Sequence, residues 1–325
     1  MIPGYYGRLL CLCFASFFLV HTLAGAVVIL LAPAASRHAR AMQAQSAARL
    51  LFWLRLIPGA LASIVIAGLC VPSYLWFEPQ GQAEPIGPVC AGAAALGMFL
   101  WVMAGIRGVA ALARTFAFVR KCRKSGRELR VPEEPAPILV VDAAAPLLAL
   151  SGIVRPRLFL SRGVWETLAP EELQAALRHE QAHRASRDNL KRLAFLLFPE
   201  VLPFVRSFAP LERHWAIVSE WAADDAAADG DDRRALWLAS ALVRVARMGT
   251  GAQPALAVSL TACGRGLEAR VNRLLRTSPQ LQSCADRGRI ALHPGVWLAG
   301  AFAAALILFP AALSSVHLLL ELLLR

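Results

Sequence analysis

The chain has 325 residues, enough for one or two domains, and 57% of them are hydrophobic, which is high for a soluble protein. Its net charge is +12, but no nucleic-acid recognition module accompanies that charge, so no direct nucleic-acid binding is expected. Seven cysteines, an odd number with no Cys-x-x-Cys pair, argue against a disulfide framework or a cysteine metal site; they read as small apolar residues and free thiols.

The first apolar run covers 9–31, preceded by Arg8 and interrupted at His21-Thr22. It is longer than the core of a signal peptide and reads as a membrane helix. The segment 36–49 carries Arg37, His38, Arg40 and Arg49 without an acid. A second span is expected over 50–77, with Pro58 and Pro72 kinking its ends and Trp53, Tyr74 and Trp76 suited to the interfaces. The loop 78–88 is acidic and lacks Lys and Arg. A third span starts near Val89 and fades after Ile106; its continuation to Phe118 reads as a helix leaving the membrane, with Arg107 and Arg114 snorkelling. The strongest basic cluster comes next, with Arg120, Lys121, Arg123, Lys124, Arg127 and Arg130. Basic loops stay cytoplasmic, so the expected topology has the N-terminus outside and everything after Arg120 inside, until a last span.

Residues 1–119 thus form a three-helix transmembrane region, and 120–137 a basic cytoplasmic linker. A cytoplasmic domain is expected over 138–290. Residues 138–141 read as a strand, Ser151-Gly152 as a turn, and 157–161 as a second strand. Pro156 just before that strand favours an edge position, and an edge near a catalytic helix can pair with an extended substrate backbone.

The next helix starts at Ala169 or Pro170, with Glu171 and Glu172 complementing its positive end, and runs to about Arg187. It contains His179-Glu180-Gln181-Ala182-His183. Positions i and i+4 share a helix face, so His179 and His183 can offer two imidazoles to one metal. Glu180, at the edge of that face, is placed to act as general base on a water. The segment 193–209 is apolar but broken by Pro199, Glu200, Pro203 and Arg206; it reads as an amphipathic membrane-surface segment, lying on or dipping into the bilayer. A helix over 211–228 presents Glu220 and Asp224 at i and i+4. Catalytic zinc takes three protein ligands and keeps one position open, and Glu220 is the natural third ligand. Asp224 is placed to accept a hydrogen bond from the far nitrogen of a zinc histidine. His214 and the arginines near it are weighed as oxyanion donors. Helices are expected over 236–248 and 267–275, and the region 291–325 holds a fourth apolar span, preceded by Arg287 and Arg289.

Several longer motifs accompany these residues. They are Gly152-Ile153-Val154-Arg155-Pro156-Arg157-Leu158-Phe159-Leu160, Ala169-Pro170-Glu171-Glu172-Leu173, the zinc motif continuing through Arg187-Asp188-Asn189-Leu190, and Glu220-Trp221-Ala222-Ala223-Asp224. With them the chain resembles the BlaR/MecR-type integral-membrane zinc metallopeptidases, over roughly 146–275 and more loosely in its four-span layout. The resemblance implies a gluzincin, a mostly α integral membrane protein whose four transmembrane helices carry a small mixed α/β peptidase domain inserted between the third and fourth. It implies one Zn2+ per chain on His179, His183 and Glu220, with Glu180 as base. For Arg187 and Asp188 the expected role is structural pairing or a helix end. The implied partners are the bilayer, a protein substrate such as a transcriptional repressor, and a second copy in a homodimer; the implied place is the bacterial inner membrane. No external penicillin-binding domain like that of the antibiotic sensors is expected, so the trigger is expected to enter by the short loops, the membrane or a partner. A housekeeping quality-control protease and a non-catalytic receptor or scaffold are the alternatives.

Overall fold

The structure is a computed structural model and describes residues 4–78, 85–130, 137–143, 145–202, 204–249, 258–259, 266–276, 314–315 and 318–319. Its first part is built from long apolar helices. Helix α1 spans Tyr5–Arg40. Helix α2, Ala44–Val65, runs on through a π-helical turn at Ile66–Cys70 into α3, Val71–Phe77. Helix α4 spans Pro88–Ser125. These make three helices long and apolar enough to cross a membrane, as expected of a membrane protein. At about 1.5 Å per residue, the 38 residues of α4 extend about 57 Å, well beyond a hydrocarbon core of about 30 Å, so its basic end with Arg123 and Lys124 stands clear. Pro58 lies inside α2 rather than at its end, whereas Pro72 comes directly after the π turn, where the regular hydrogen-bond ladder is already interrupted. Helices α1 and α4 approach closely at Gly97, where a Cβ would collide with the backbone carbonyl of Phe14. The expected fourth span at 291–325 lies outside the described residues, apart from short helical pieces at 314–315 and 318–319.

Strand β1, Gly126–Leu129, continues directly from α4 and pairs antiparallel with β2, Ile138–Val141. The stretch 120–137, expected as a linker, is therefore helix to Ser125 and strand through Leu129. Strand β3, Leu148–Ser151, pairs antiparallel with β4, Arg157–Ser161, and β4 runs parallel to β2. A short β5, Val258–Ser259, pairs antiparallel with β3. The order β1-β2-β4-β3-β5 corrects the edge position expected for 157–161. Pro156 precedes the first ladder residue, so its missing N–H costs no interstrand bond.

Helix α5, Arg162–Thr167, is capped by the Ser161 hydroxyl, which accepts the Val164 N–H. Beyond it lie helices α6 (Pro170–Ser186), α7 (Asp188–Leu197), α8 (Ala209–Ala228), α9 (Asp232–Arg247) and α10 (Leu267–Arg276). Ala169 offers α6 no side-chain cap, but Glu172 accepts the Ala169 N–H at 2.9 Å, which supplies half of a capping box. The other Glu172 oxygen accepts from Ser240 and sits 3.0 Å from Arg244 Nε, tying α6 to α9. One core joins the sheet to α6, α9 and α10 through Ile138, Leu148, Leu160, Leu177, Leu242 and Leu274.

A second core joins this unit to the long helices. Leu51 and Leu56 of α2 pack in one cluster with Val201, Phe208, Leu211 and Trp215. The irregular segment 198–208 does not rest outside the bundle. It runs back along it: the Glu200 carbonyl is 3.2 Å from His21 Nε2, and Phe204 meets Phe99 at 5.6 Å between ring centroids. Leu197 touches α4 at Gly108, nine residues from Phe99, so the segment descends about 14 Å along α4. Irregular backbone beside apolar helices needs internal partners. Arg55 supplies them, donating to the carbonyls of Phe195 and Phe198, both at 3.2 Å, while Glu200 accepts the Phe208 N–H at 3.2 Å. Glu200 is buried and carries Arg55 at 3.8 Å and Arg107 at 3.5 Å. Within 193–209, Leu193, Phe195, Glu200, Val201 and Phe208 are buried against the bundle, while Leu197, Leu202, Phe204 and Val205 are exposed.

Candidate metal centre

Helix α6 carries His179, Glu180 and His183; α8 carries Glu220 and Asp224. The two helices pack side by side, with the small residues Ala176 and Ala227 in their shared core. The Nε2 atoms of His179 and His183 are 3.1 Å apart. Glu220 places Oε2 3.5 Å from His179 Nε2 and Oε1 3.7 Å from His183 Nε2. Ligands at zinc bond lengths of about 2.0–2.1 Å around a tetrahedral centre stand about 3.3 Å apart. The three donor groups match that spacing, and among the described residues they form the one cluster of three metal-type ligands.

Both far ring nitrogens meet carboxylates. His183 Nδ1 lies 2.7 Å from Asp188 Oδ2, and His179 Nδ1 lies 3.0 Å from Asp224 Oδ1. The contact at His183 is a well-formed hydrogen bond; the one at His179 is off the N–H axis and orients more by charge. A proton held at each Nδ1 leaves each Nε2 as an acceptor. Two imidazole nitrogens and a carboxylate then converge on one point, where they could hold a metal ion by spacing and by donor chemistry. Both histidines are fully buried, while Glu220 is 16% exposed, so the site opens on the Glu220 side. Glu180 is buried next to His179 on the same helix.

The charges around the site hold its protonation states. Burial works against an ionised Glu220, yet Arg270 and the two histidines hold it well below the usual carboxylate range. The same is true of Asp224, again chiefly through Arg270. Arg270 donates to both Asp224 oxygens, at 2.8 and 2.6 Å, and its third nitrogen is 3.1 Å from Glu220 Oε2. Asp188 is pushed down to about 2: burial opposes this, and the His183 hydrogen bond and Lys191 outweigh it. His183 is raised to about 9, with burial opposed by Glu220 and Asp188.

All five expected residues, His179, Glu180, His183, Glu220 and Asp224, lie on the two packed helices. Asp188, expected in a structural pairing or at a helix end, starts α7 and pairs with His183. Arg270 stands out in the sequence only as part of an amphipathic helix, and no local pattern marks it. His214 is six residues before Glu220, about 240° around α8, and projects from another face. Burial and the charge of Arg40 lower its pKa. No protein-family profile, curated protein or solved structure matches this chain.

Proposed function

We propose that this chain is a membrane-embedded zinc endopeptidase of the gluzincin type. In this reading it hydrolyses peptide bonds on the cytoplasmic side during regulated proteolysis, cutting a repressor-like protein or itself. One observation carries the reading: the two Nε2 atoms and the Glu220 carboxylate converge at zinc spacing, immediately beside Glu180. The motifs shared with BlaR/MecR-type peptidases support it, as does the attachment of the site to the membrane helices through α8.

Bound zinc supplies Lewis acidity toward a peptide carbonyl and makes water more acidic. His179, His183 and Glu220 would hold it. The Glu180 carboxylate accepts a proton from the attacking water and delivers it to the leaving amine nitrogen as the C–N bond breaks. Asp188 fixes the His183 imidazole in its Nδ1–H form, and the charge of Asp224 favours the same form at His179. Arg270 keeps Glu220 and Asp224 ionised. Among the described residues the sheet edge beside α6 is β5, and an extended substrate would add to the sheet on that side. The N-terminus lies outside in this reading, in accord with the basic segments 36–49 and 120–130.

The test compares wild type with Glu180→Gln in detergent or vesicles, measuring bound zinc and cleavage of the chain or of a peptide library. Zinc in both proteins with cleavage only in wild type is the expected result. Wild type that binds no zinc, or a mutant that cleaves normally, would overturn the proposal.

A further inference from the structure

Cys11, Cys13, Cys70 and Cys90 are scattered in the chain but share one layer of the helix bundle. Cys11 and Cys13 lie on α1, Cys70 closes the π turn, and Cys90 is in the first turn of α4. The Sγ atoms of Cys11 and Cys90 are 3.9 Å apart. Cys13 packs in the same cluster as Cys70, whose sulfur accepts from Ser16 at 4.0 Å. Two residues on a helix are about 200° apart, so Cys11 and Cys13 face different neighbours. The extra residue of a π turn rotates the helix beyond it, and such turns often mark functional positions; here the turn ends on Cys70. The thiols do not converge as a group of three or four metal ligands. Cys11 lies against Cys90, and Cys13 packs in the layer with Cys70, so each pair joins α1 to another helix. In each pair one member is half-buried (Cys11, Cys13) and the other fully buried (Cys90, Cys70).

We propose that this layer is a redox modification site, oxidised by a disulfide compound to two intramolecular bridges, Cys11–Cys90 and Cys13–Cys70. The half-buried thiol attacks the oxidant disulfide RSSR, giving a mixed disulfide and one RSH. The buried partner then attacks the protein sulfur of that mixed disulfide and expels the second RSH. Each pair loses two hydrogens, and each RSSR gains them as two thiols. The S–S distance closes to about 2.05 Å, a movement of about 2 Å at the Cys11 pair that side-chain rotation can share between the two residues. The product staples α1 to α4 and α1 to the π turn. It sets the relative positions of the three helices on which the segment 198–208 is seated, and it does not depend on the chain being a peptidase.

The test treats the reduced, full-length protein in detergent with dithiodipyridine and maps the products by peptide mass spectrometry. The expected products are the Cys11–Cys90 and Cys13–Cys70 cross-links, each two hydrogens lighter than its reduced peptides. In Cys90→Ser, Cys11 should stay as a pyridyl mixed disulfide while Cys13–Cys70 still forms; Cys70→Ser should show the reverse. Scrambled pairs such as Cys11–Cys70, links between chains, or pyridyl adducts that persist in the wild type would each overturn the proposal, whether or not the protein cleaves peptides.

Discussion

Asp188, the first residue of α7, returns its carboxylate to His183 at 2.7 Å, five residues back along the chain. The return is made by Arg187, which ends α6 in the left-handed conformation with φ 56°. Lys191 binds the second Asp188 oxygen at 2.9 Å, so the carboxylate is fixed from both sides. Asp224 plays the matching part on His179 from a different helix. The two imidazoles are thus oriented independently, one by the turn after α6 and one by α8.

Replacing Asp188 by Asn keeps the size of the side chain and removes its charge. Loss of such a partner of a ligating histidine typically costs 10–100-fold in metal affinity. Under the proposed zinc assignment, Asp188→Asn is expected to bind zinc more weakly by about that factor, read by competition with a chelator, while the helical fold is retained. Unchanged affinity would mean that His183 does not need this carboxylate.

Arg270 neutralises two buried carboxylates at once. Arg270→Ala leaves Asp224 and Glu220 without that charge, and breaking a buried pair in this way costs about 3–5 kcal/mol. Arg270→Lys keeps the charge but cannot grip both Asp224 oxygens in the same plane, so it should fall between mutant and wild type. Thermal unfolding in detergent, with chelator present, orders the three proteins. A wild-type transition in Arg270→Ala would sink the idea that α10 is held on α8 by this residue.

What the sequence shows of this site is what a single helix can encode. His179 and His183, and then Glu220 and Asp224, are legible because i and i+4 share a face. Asp188 is visible as a residue, but its role depends on a left-handed turn at a non-glycine, which no periodicity announces. Arg270 reaches Asp224 from 46 positions downstream, and the pairing is purely tertiary. The strand 157–161 is legible while its place in the sheet is not, because Pro156 marks only where the ladder begins. Strand β3 escapes a sequence reading because its four residues adjoin a turn at Gly152, φ 114°. The segment 193–209 resembles a surface element as long as its charges are taken to be solvated. In the fold, Arg55 and Arg107, on helices far away in sequence, take up Glu200.

Under the proposed zinc assignment, the pH dependence of metal binding stems from the two histidines, both raised, and His183 sets its upper end. Burial opposes the charge of His183, Glu220 and Asp188 outweigh burial, and its pKa is raised to about 9. In the metal-free chain this raised value stabilises the fold fully below the unfolded value of about 6.5, and the contribution is lost as pH rises through about 9. Zinc needs the neutral imidazole and must displace the proton, so binding releases it. Apparent zinc affinity should therefore climb with pH, approaching about tenfold per unit, and level off near 9. Chelator competition at several pH values measures the slope. A flat profile between neutrality and the plateau would show that no proton is displaced from either histidine.

The insertion of the segment 198–208 into the bundle can be tested where a side chain has no room. A Cβ at Gly25 would collide with the Val201 side chain. Gly25→Ala is expected to destabilise the protein by about 1–3 kcal/mol through overpacking, provided that Val201 is seated against α1. Val201→Ala alone removes two methyl groups from a buried position and is destabilising for the opposite reason. Combined, the two changes relieve each other, because the volume added at residue 25 is taken away at residue 201. The double mutant should unfold closer to wild type than the sum of the two singles predicts, a coupling of about 0.5–3 kcal/mol in a mutant cycle. If the two effects simply add, the segment does not pack on α1 at Gly25. If they couple, the same contact links a membrane helix to α8, since Val201 shares its core with Leu211, Trp215 and Val218 on the helix that carries Glu220.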